Sequence, residues 1–198
     1  MLEPIRTYIS EKYTYEDYLE LKFKVDSSQN IWEQAISIFE DRIQSRYFCA
    51  INKLMEKKDR YEMRKYGFAI VTLQCSLIDT LAKFRYGPDH TGSKDRFTTF
   101  LNEYFVSDLK NKKVADKIYK DIRCGIVHSG ATDNKSGLSC EYPELVSFLP
   151  NGAISLNLII LQIELESYFR NYKKRLENEK ELELRKNFVY TMNVVCKA

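Results

Sequence analysis

The chain has 198 residues, 44% of them apolar and 30% charged, with a formal net charge of +3. That length suits one domain of ordinary size, and interspersed charge with a large apolar share excludes a disordered tail. The small positive balance neither demands nucleic acid nor excludes it, because a local patch matters more than the total.

Residues 1–26 read as an N-terminal helix or irregular arm with Tyr8, Tyr13, Tyr15, Tyr18, Leu19 and Leu21 apolar. Ser27-Ser28-Gln29-Asn30 breaks the pattern, and Asn30 with Glu33 has the spacing of a capping box. The helix that follows carries Ile31, Ala35, Ile38, Phe39 and Ile43 on one face and runs toward Leu54. A second long helix is predicted from Tyr61 to Phe84. Phe68, Val71, Cys75, Ile78 and Ala82 form one apolar stripe, and Ile70, Leu73, Leu77, Leu81 and Phe84 another. A helix apolar on so many sides belongs at the centre of a bundle or at a subunit contact. Thr72, Ser76, Asp79 and Lys83 are its one polar row.

Tyr86 to Ser93 is a loop by composition. A shorter helix with Phe97, Phe100, Leu101 and Tyr104 follows, then a helix from about Asn111 to His128 that buries Ala115, Ile118, Tyr119, Ile122 and Ile126. Short strands are predicted at 138–142 and 145–149. Pro150-Asn151-Gly152-Ala153 signals a hairpin whose returning strand is 154–156. Helices at 157–175 and 177–195 close the chain. The whole reads as one mainly α-helical domain: an arm over 1–30, a core over 31–130, a β-hairpin insert over 131–156 and C-terminal helices over 157–198.

Cys49, Cys75, Cys124, Cys140 and Cys196 are scattered and odd in number, without CxxC spacing, so neither a zinc site nor a disulfide framework is expected, and nothing calls for a cofactor. Met1-Leu2-Glu3-Pro4-Ile5-Arg6 holds no apolar signal core. The most apolar stretch, Ile154 to Leu165, is too short to span a bilayer. A soluble cytoplasmic protein without membrane association is the expectation.

The segment that carries chemistry is Ile122-Arg123-Cys124-Gly125-Ile126-Val127-His128-Ser129-Gly130. Arginine grips phosphate oxygens with two prongs and keeps its charge, while histidine exchanges a proton near neutral pH. Metal-free RNA cleavage needs both services. On an ideal helix Arg123 and His128 lie about 140° apart around the axis. Either Gly125 loosens the helix, or two copies of the helix meet and pool their side chains, as a symmetric dimer does.

This segment resembles the R-x4-6-H motif of HEPN domains, and Gly67 to Asp79 resembles the central helix of one prokaryotic HEPN branch. The resemblance spans roughly residues 31–175. It implies a helical bundle that dimerises into a metal-independent endoribonuclease, of the kind found in toxin–antitoxin and antiviral defence systems, with an antitoxin or defence protein as a possible partner. By the same resemblance Arg123 grips the scissile phosphate, His128 transfers the proton, and Asp79 orients or balances the arginine. The chain departs from the family pattern at Cys124, where active members often carry Asn, Asp or His. It also has Gly130 where one toxin branch has a tyrosine.

Plainer readings stand beside these. Arg123 suits a salt bridge to a neighbouring helix, His128 a helix C-terminus closed by Gly130, and Asp79 an i,i+4 pair with Lys83. Lys113, Lys117 and Lys120 recur with Arg123 at helical spacing and suit RNA phosphates, although Asp116 and Asp121 make a solvated face the plainer reading. Lys57-Lys58, Lys173-Lys174-Arg175 and His90 read as surface, and Cys124 as a small packing residue. The rival function is a non-catalytic helical module that binds a partner protein, nucleic acid or nucleotide.

Overall fold

A computed structural model describes residues 7–56, 60–87, 89, 92–105 and 113–196, apart from the Glu62 side chain. His90, Lys57 and Lys58 lie outside the described residues, as does the expected start of the motif helix at Asn111. The protein is mainly helical with one small sheet. Its helices are α1 (Tyr15–Glu20), α2 (Gln29–Ile43), α3 (Cys49–Leu54), α4 (Arg60–Tyr86), α5 (Ser93–Tyr104), α6 (Lys113–Lys117), α7 (Gly125–Ser129), α8 (Leu158–Glu177) and α9 (Leu182–Val195). Short π-helical segments at Gln44–Phe48 and Ile118–Cys124 join α2 to α3 and α6 to α7. The chain, read from sequence as one domain, packs as two compact units interleaved along it: 1–50 with 83–90 and 170–198, and 51–82 with 91–169.

The first unit is held by aromatic rings. Trp32 and Phe39 of α2, Phe84 at the end of α4 and Phe188 of α9 are all buried. Phe39 lies 4.4 Å from Phe84 and 5.2 Å from Phe188, ring centre to ring centre, at separations where tilted and edge-on pairs attract. The last carbonyls of α4 lack partners within the helix and receive side-chain donors instead. Thr191 Oγ1 donates to Lys83, Tyr172 Oη to Phe84 and Asn187 Nδ2 to Arg85, at 3.2, 2.9 and 3.1 Å. The capping box expected at Asn30 and Glu33 does not form. Asn30 already lies inside the first turn of α2, where its Oδ1 accepts from Gln34 Nε2 at 3.2 Å. The box forms instead at α1, where Thr14 and Asp17 satisfy each other's amides.

The second unit is built around α4, whose Ile70, Val71, Leu77, Ile78, Leu81 and Ala82 are almost fully buried. Met63–Tyr86 is long and apolar enough to cross a bilayer, with a mean hydropathy of 1.3, as a buried core helix also can be. That makes it a longer apolar segment than the 154–165 stretch singled out from sequence. Phe68, expected in the core stripe, is 45% exposed because that part of α4 borders a groove. Gln74, buried on α4, donates to the Leu158 carbonyl at 2.9 Å and so ties α4 to the start of α8.

The sheet has the order β1-β3-β2, with strands Gly137–Ser139, Val146–Phe148 and Ile154–Asn157. β2 and β3 form the expected hairpin, with Ser147 opposite Ser155, around the turn at Asn151-Gly152. β1 adds in parallel on the other edge of β3, Leu138 beside Leu156. β3 is buried along its length and runs straight into α8. Asn157 makes that junction: its Oδ1 accepts from the amides of Ile159 and Ile160 at 2.9 and 3.1 Å, and its Nδ2 donates to the Tyr142 carbonyl. One buried side chain thus caps a helix and anchors the loop after β1. Asn157→Ala is expected to cost about 2 kcal/mol, read as a lower urea midpoint with an unchanged slope.

Candidate functional site

The motif lies on the helix formed by α6, the π segment and α7. The π segment gives this helix its local shape. In a π turn each carbonyl is matched five residues ahead rather than four, so the ladder widens. Here the Asp121 carbonyl accepts from the Asp133 amide at 2.7 Å, a bond to the following loop. The Asp121 carboxylate is buried, contrary to its expected place on a solvated face. It accepts from Asn134 Nδ2 at 2.6 Å and from Ser136 Oγ at 3.1 Å. Ser136 Oγ in turn accepts from the Ile154 amide at 3.3 Å. Asn134 and Lys135 take left-handed backbone angles, φ 53° and 60°, to bring these donors inward.

Gly125 does not kink the helix, as its φ of −55° and ψ of −49° are helical. Its role is close approach: a Cβ there would stand 2.6 Å from the Ala131 carbonyl oxygen and 3.1 Å from the Asp133 amide nitrogen. Gly130 ends the helix in the left-handed region at φ 64°, with its amide donating to Ile126 at 3.1 Å, as the terminator reading expects.

Arg123 Nη2 meets Asp79 Oδ2 of α4 at 3.2 Å, with 22% and 20% of the two side chains exposed. Asp79 therefore pairs with Arg123 and not, as the plainer reading has it, with Lys83. The guanidinium also lies 5.4 Å from the Tyr119 ring centre, a cation–π contact one turn back along the helix. Partial desolvation opposes the charge, but the Asp79 carboxylate and its hydrogen bond outweigh it, so the proton is held more tightly than on a free arginine. Asp79 Oδ1 is buried and has no hydrogen-bond partner among the described residues. Burial, with Asp79 and Cys124 nearby, pushes the Cys75 thiol up to about 12, so it is no nucleophile at neutral pH. Cys124 is half-buried, as a packing residue should be.

His128 is exposed, as is Val127 beside it at 55%. On an ideal helix Arg123 and His128 stand about 140° apart around the axis, and the helical φ and ψ of Gly125 add no kink to close that gap. Lys113 and Lys120 are exposed, whereas Lys117 lies 3.9 Å from Asp121. The regular spacing expected of the three lysines and Arg123 is interrupted, because the π segment starts between Lys117 and Lys120. Sequence reasoning placed Tyr119 on the buried face and missed its contact with Arg123, although its place four residues earlier was a usable signal. It also missed the buried role of Asp121, for which the turn-forming Asp133-Asn134 pair was the only hint. Among the described residues no group of three or more His, Cys, Asp or Glu side chains is placed to hold a metal ion.

No protein-family model, curated protein or solved structure matches the chain.

Two substitutions, with Lys117→Ala as a control, test what holds the motif in place. Asp121→Ala removes the acceptor of two side-chain donors and is expected to cost about 2–4 kcal/mol, while Lys117→Ala, losing only a long and half-exposed ion pair, costs under about 1 kcal/mol. Gly125→Ala forces the 131–133 loop outward and is expected to cost about 1–3 kcal/mol. Chemical denaturation reads both, and equal midpoints for Asp121→Ala and Lys117→Ala would contradict the buried role of Asp121.

Proposed function

We propose that the protein is a metal-independent endoribonuclease of the HEPN kind, whose active site forms where the motif helices of two copies face each other. The observation that carries this reading is the Asp79–Arg123 pair. It holds a guanidinium in a fixed orientation, with about a fifth of the side chain open to solvent, on the same helix as an exposed histidine. Because helical spacing sets the two groups about 140° apart around the axis, the site takes Arg123 from one copy and His128 from the other. Exposed Val127 lies between them in sequence and supplies apolar contact.

In such a site Arg123 binds the non-bridging oxygens of the scissile phosphate. His128 takes the 2′-hydroxyl proton, the 2′-oxygen bonds to phosphorus, and the bond to the 5′-oxygen breaks. The departing 5′-oxygen takes a proton from the imidazolium or from water, leaving a 2′,3′-cyclic phosphate and a 5′-hydroxyl. Asp79 does not touch the substrate. It keeps the guanidinium aimed, and the Tyr119 ring packs beside it. Lys113 and Lys120 lie further back on the same helix as contacts for the flanking strand.

The rival, a non-catalytic module binding a partner protein, nucleic acid or nucleotide, draws on the same ion pair, since Asp79 already neutralises the arginine. One experiment separates them. The purified chain is incubated with single-stranded RNA in excess EDTA, beside Arg123→Ala and His128→Ala. The ribonuclease reading expects cyclic-phosphate products, a loss of about 100-fold or more in each variant, and partial recovery when the two inactive variants are mixed. Wild type and His128→Ala cutting at the same rate would sink it, and no cutting by any of the three leaves the binding module.

A further inference from the structure

Within the second unit, the start of α4 and the loop after β1 border a groove of about 530 Å³, a volume in the range of small-ligand sites. Arg60, Arg64 and Phe68 all line it and recur every four residues along α4, so two cations and an aromatic ring follow one another on a single helix face. Tyr142 lines the groove from the loop. Phe68 and Tyr142 are each 45% exposed, an aromatic surface left open to water. The hydroxyl residues Thr132, Ser139 and Ser155 and the carboxylate of Glu141 also line it.

Charge favours an anionic strand. Arg64 is exposed, and Arg60 meets Glu141 at 3.3 Å in a pair whose side chains are 68% and 57% exposed. An ion pair so open to water contributes little and is readily exchanged for a phosphate. The backbone that carries Tyr142 is held beforehand: Ser139 Oγ accepts from the amides of Glu141 and Tyr142 at 3.1 and 3.4 Å, and Asn157 donates to the Tyr142 carbonyl. The groove also adjoins the motif through one loop, because Thr132 lines it while its neighbours Ala131 and Asp133 pack on Gly125.

We infer that this groove holds an unpaired nucleotide of the RNA strand, its base on Phe68 and Tyr142 and its phosphates on Arg60 and Arg64, while the strand continues over the 131–133 loop to the motif helix. Phe68 and Asp79 stand about 16 Å apart along α4, a span of a few nucleotides. The inference rests on the ribonuclease reading only for the choice of RNA as the strand.

The test measures fluorescence anisotropy of a labelled, unstructured RNA oligonucleotide in a His128→Ala background, where the strand is not cut. Adding Phe68→Ala is expected to weaken binding about fivefold or more. Arg64→Glu weakens it and flattens its dependence on salt. Ile163→Ala, an exposed apolar control elsewhere on the unit, binds like its parent, and thermal melts confirm that all variants fold. Unchanged affinity for both Phe68→Ala and Arg64→Glu overturns the proposal. So does displacement of the RNA by uridine monophosphate or by polyglutamate at equal residue concentration, which would mark a free-nucleotide or acidic-peptide site. Binding that depends on Phe68, from a chain that cuts no RNA with His128 intact, would keep the groove and discard the nuclease.

Discussion

A carboxylate withdrawn from water must find donors, and Asp121 finds them on the segment that follows its own helix. Asn134 and Ser136 bring the 130–136 loop back against the π segment, and Ser136 passes the connection to the central strand through the Ile154 amide. The Asp121 carbonyl adds a further bond to the Asp133 amide. These contacts join helix, loop and sheet into one body and decide how the motif is presented. The tight passage of Ala131 over Gly125 and the left-handed angles at Asn134 and Lys135 follow from the same closure.

The two cationic groups of the motif have opposite environments. Arg123 is held by Asp79 from α4 and flanked by Tyr119, so its planar head keeps a direction. His128, near the end of α7, is exposed and free to meet a second surface. In the proposed ribonuclease, a held arginine and an open histidine suit a site completed by another copy better than one complete in a single chain. For that proposed role, the pairing with Asp79 lowers the net charge offered to a phosphate but also removes the entropic cost of ordering a long side chain at binding. A lysine at position 123 would lose both the planar fork and the aromatic contact.

Both the motif and the groove belong to the second unit. The first unit is organised by aromatic packing and by side chains that finish the end of α4, with Arg185 lying 3.8 Å over the Trp32 ring. Its residues come from both ends of the chain and a short middle stretch. The shared length of α4 and α8, each contributing residues to both units, is what makes the division invisible to a reading in chain order.

Much of the fold is legible in the sequence because periodicity is local. The apolar stripes of α4, the buried face at Ala115, Ile118 and Ile122, the Asn151-Gly152 hairpin and the Gly130 stop all follow from backbone preference and side-chain spacing. So does the placing of Asp79 on the polar row of the long helix that became α4. Tertiary structure decided the rest. Whether Asp79 meets Lys83 or Arg123, whether Asp121 faces water or loop donors, and whether Phe68 joins the core or lines a groove are long-range matters that helical spacing cannot rank. The π turn is of the same kind: nothing in Ile118–Cys124 demands it, but a carboxylate and carbonyl at Asp121 bonded to residues 133–136 do favour it. Local propensities set which residues are helical, and the need to satisfy buried polar groups set where those helices aim their chemistry.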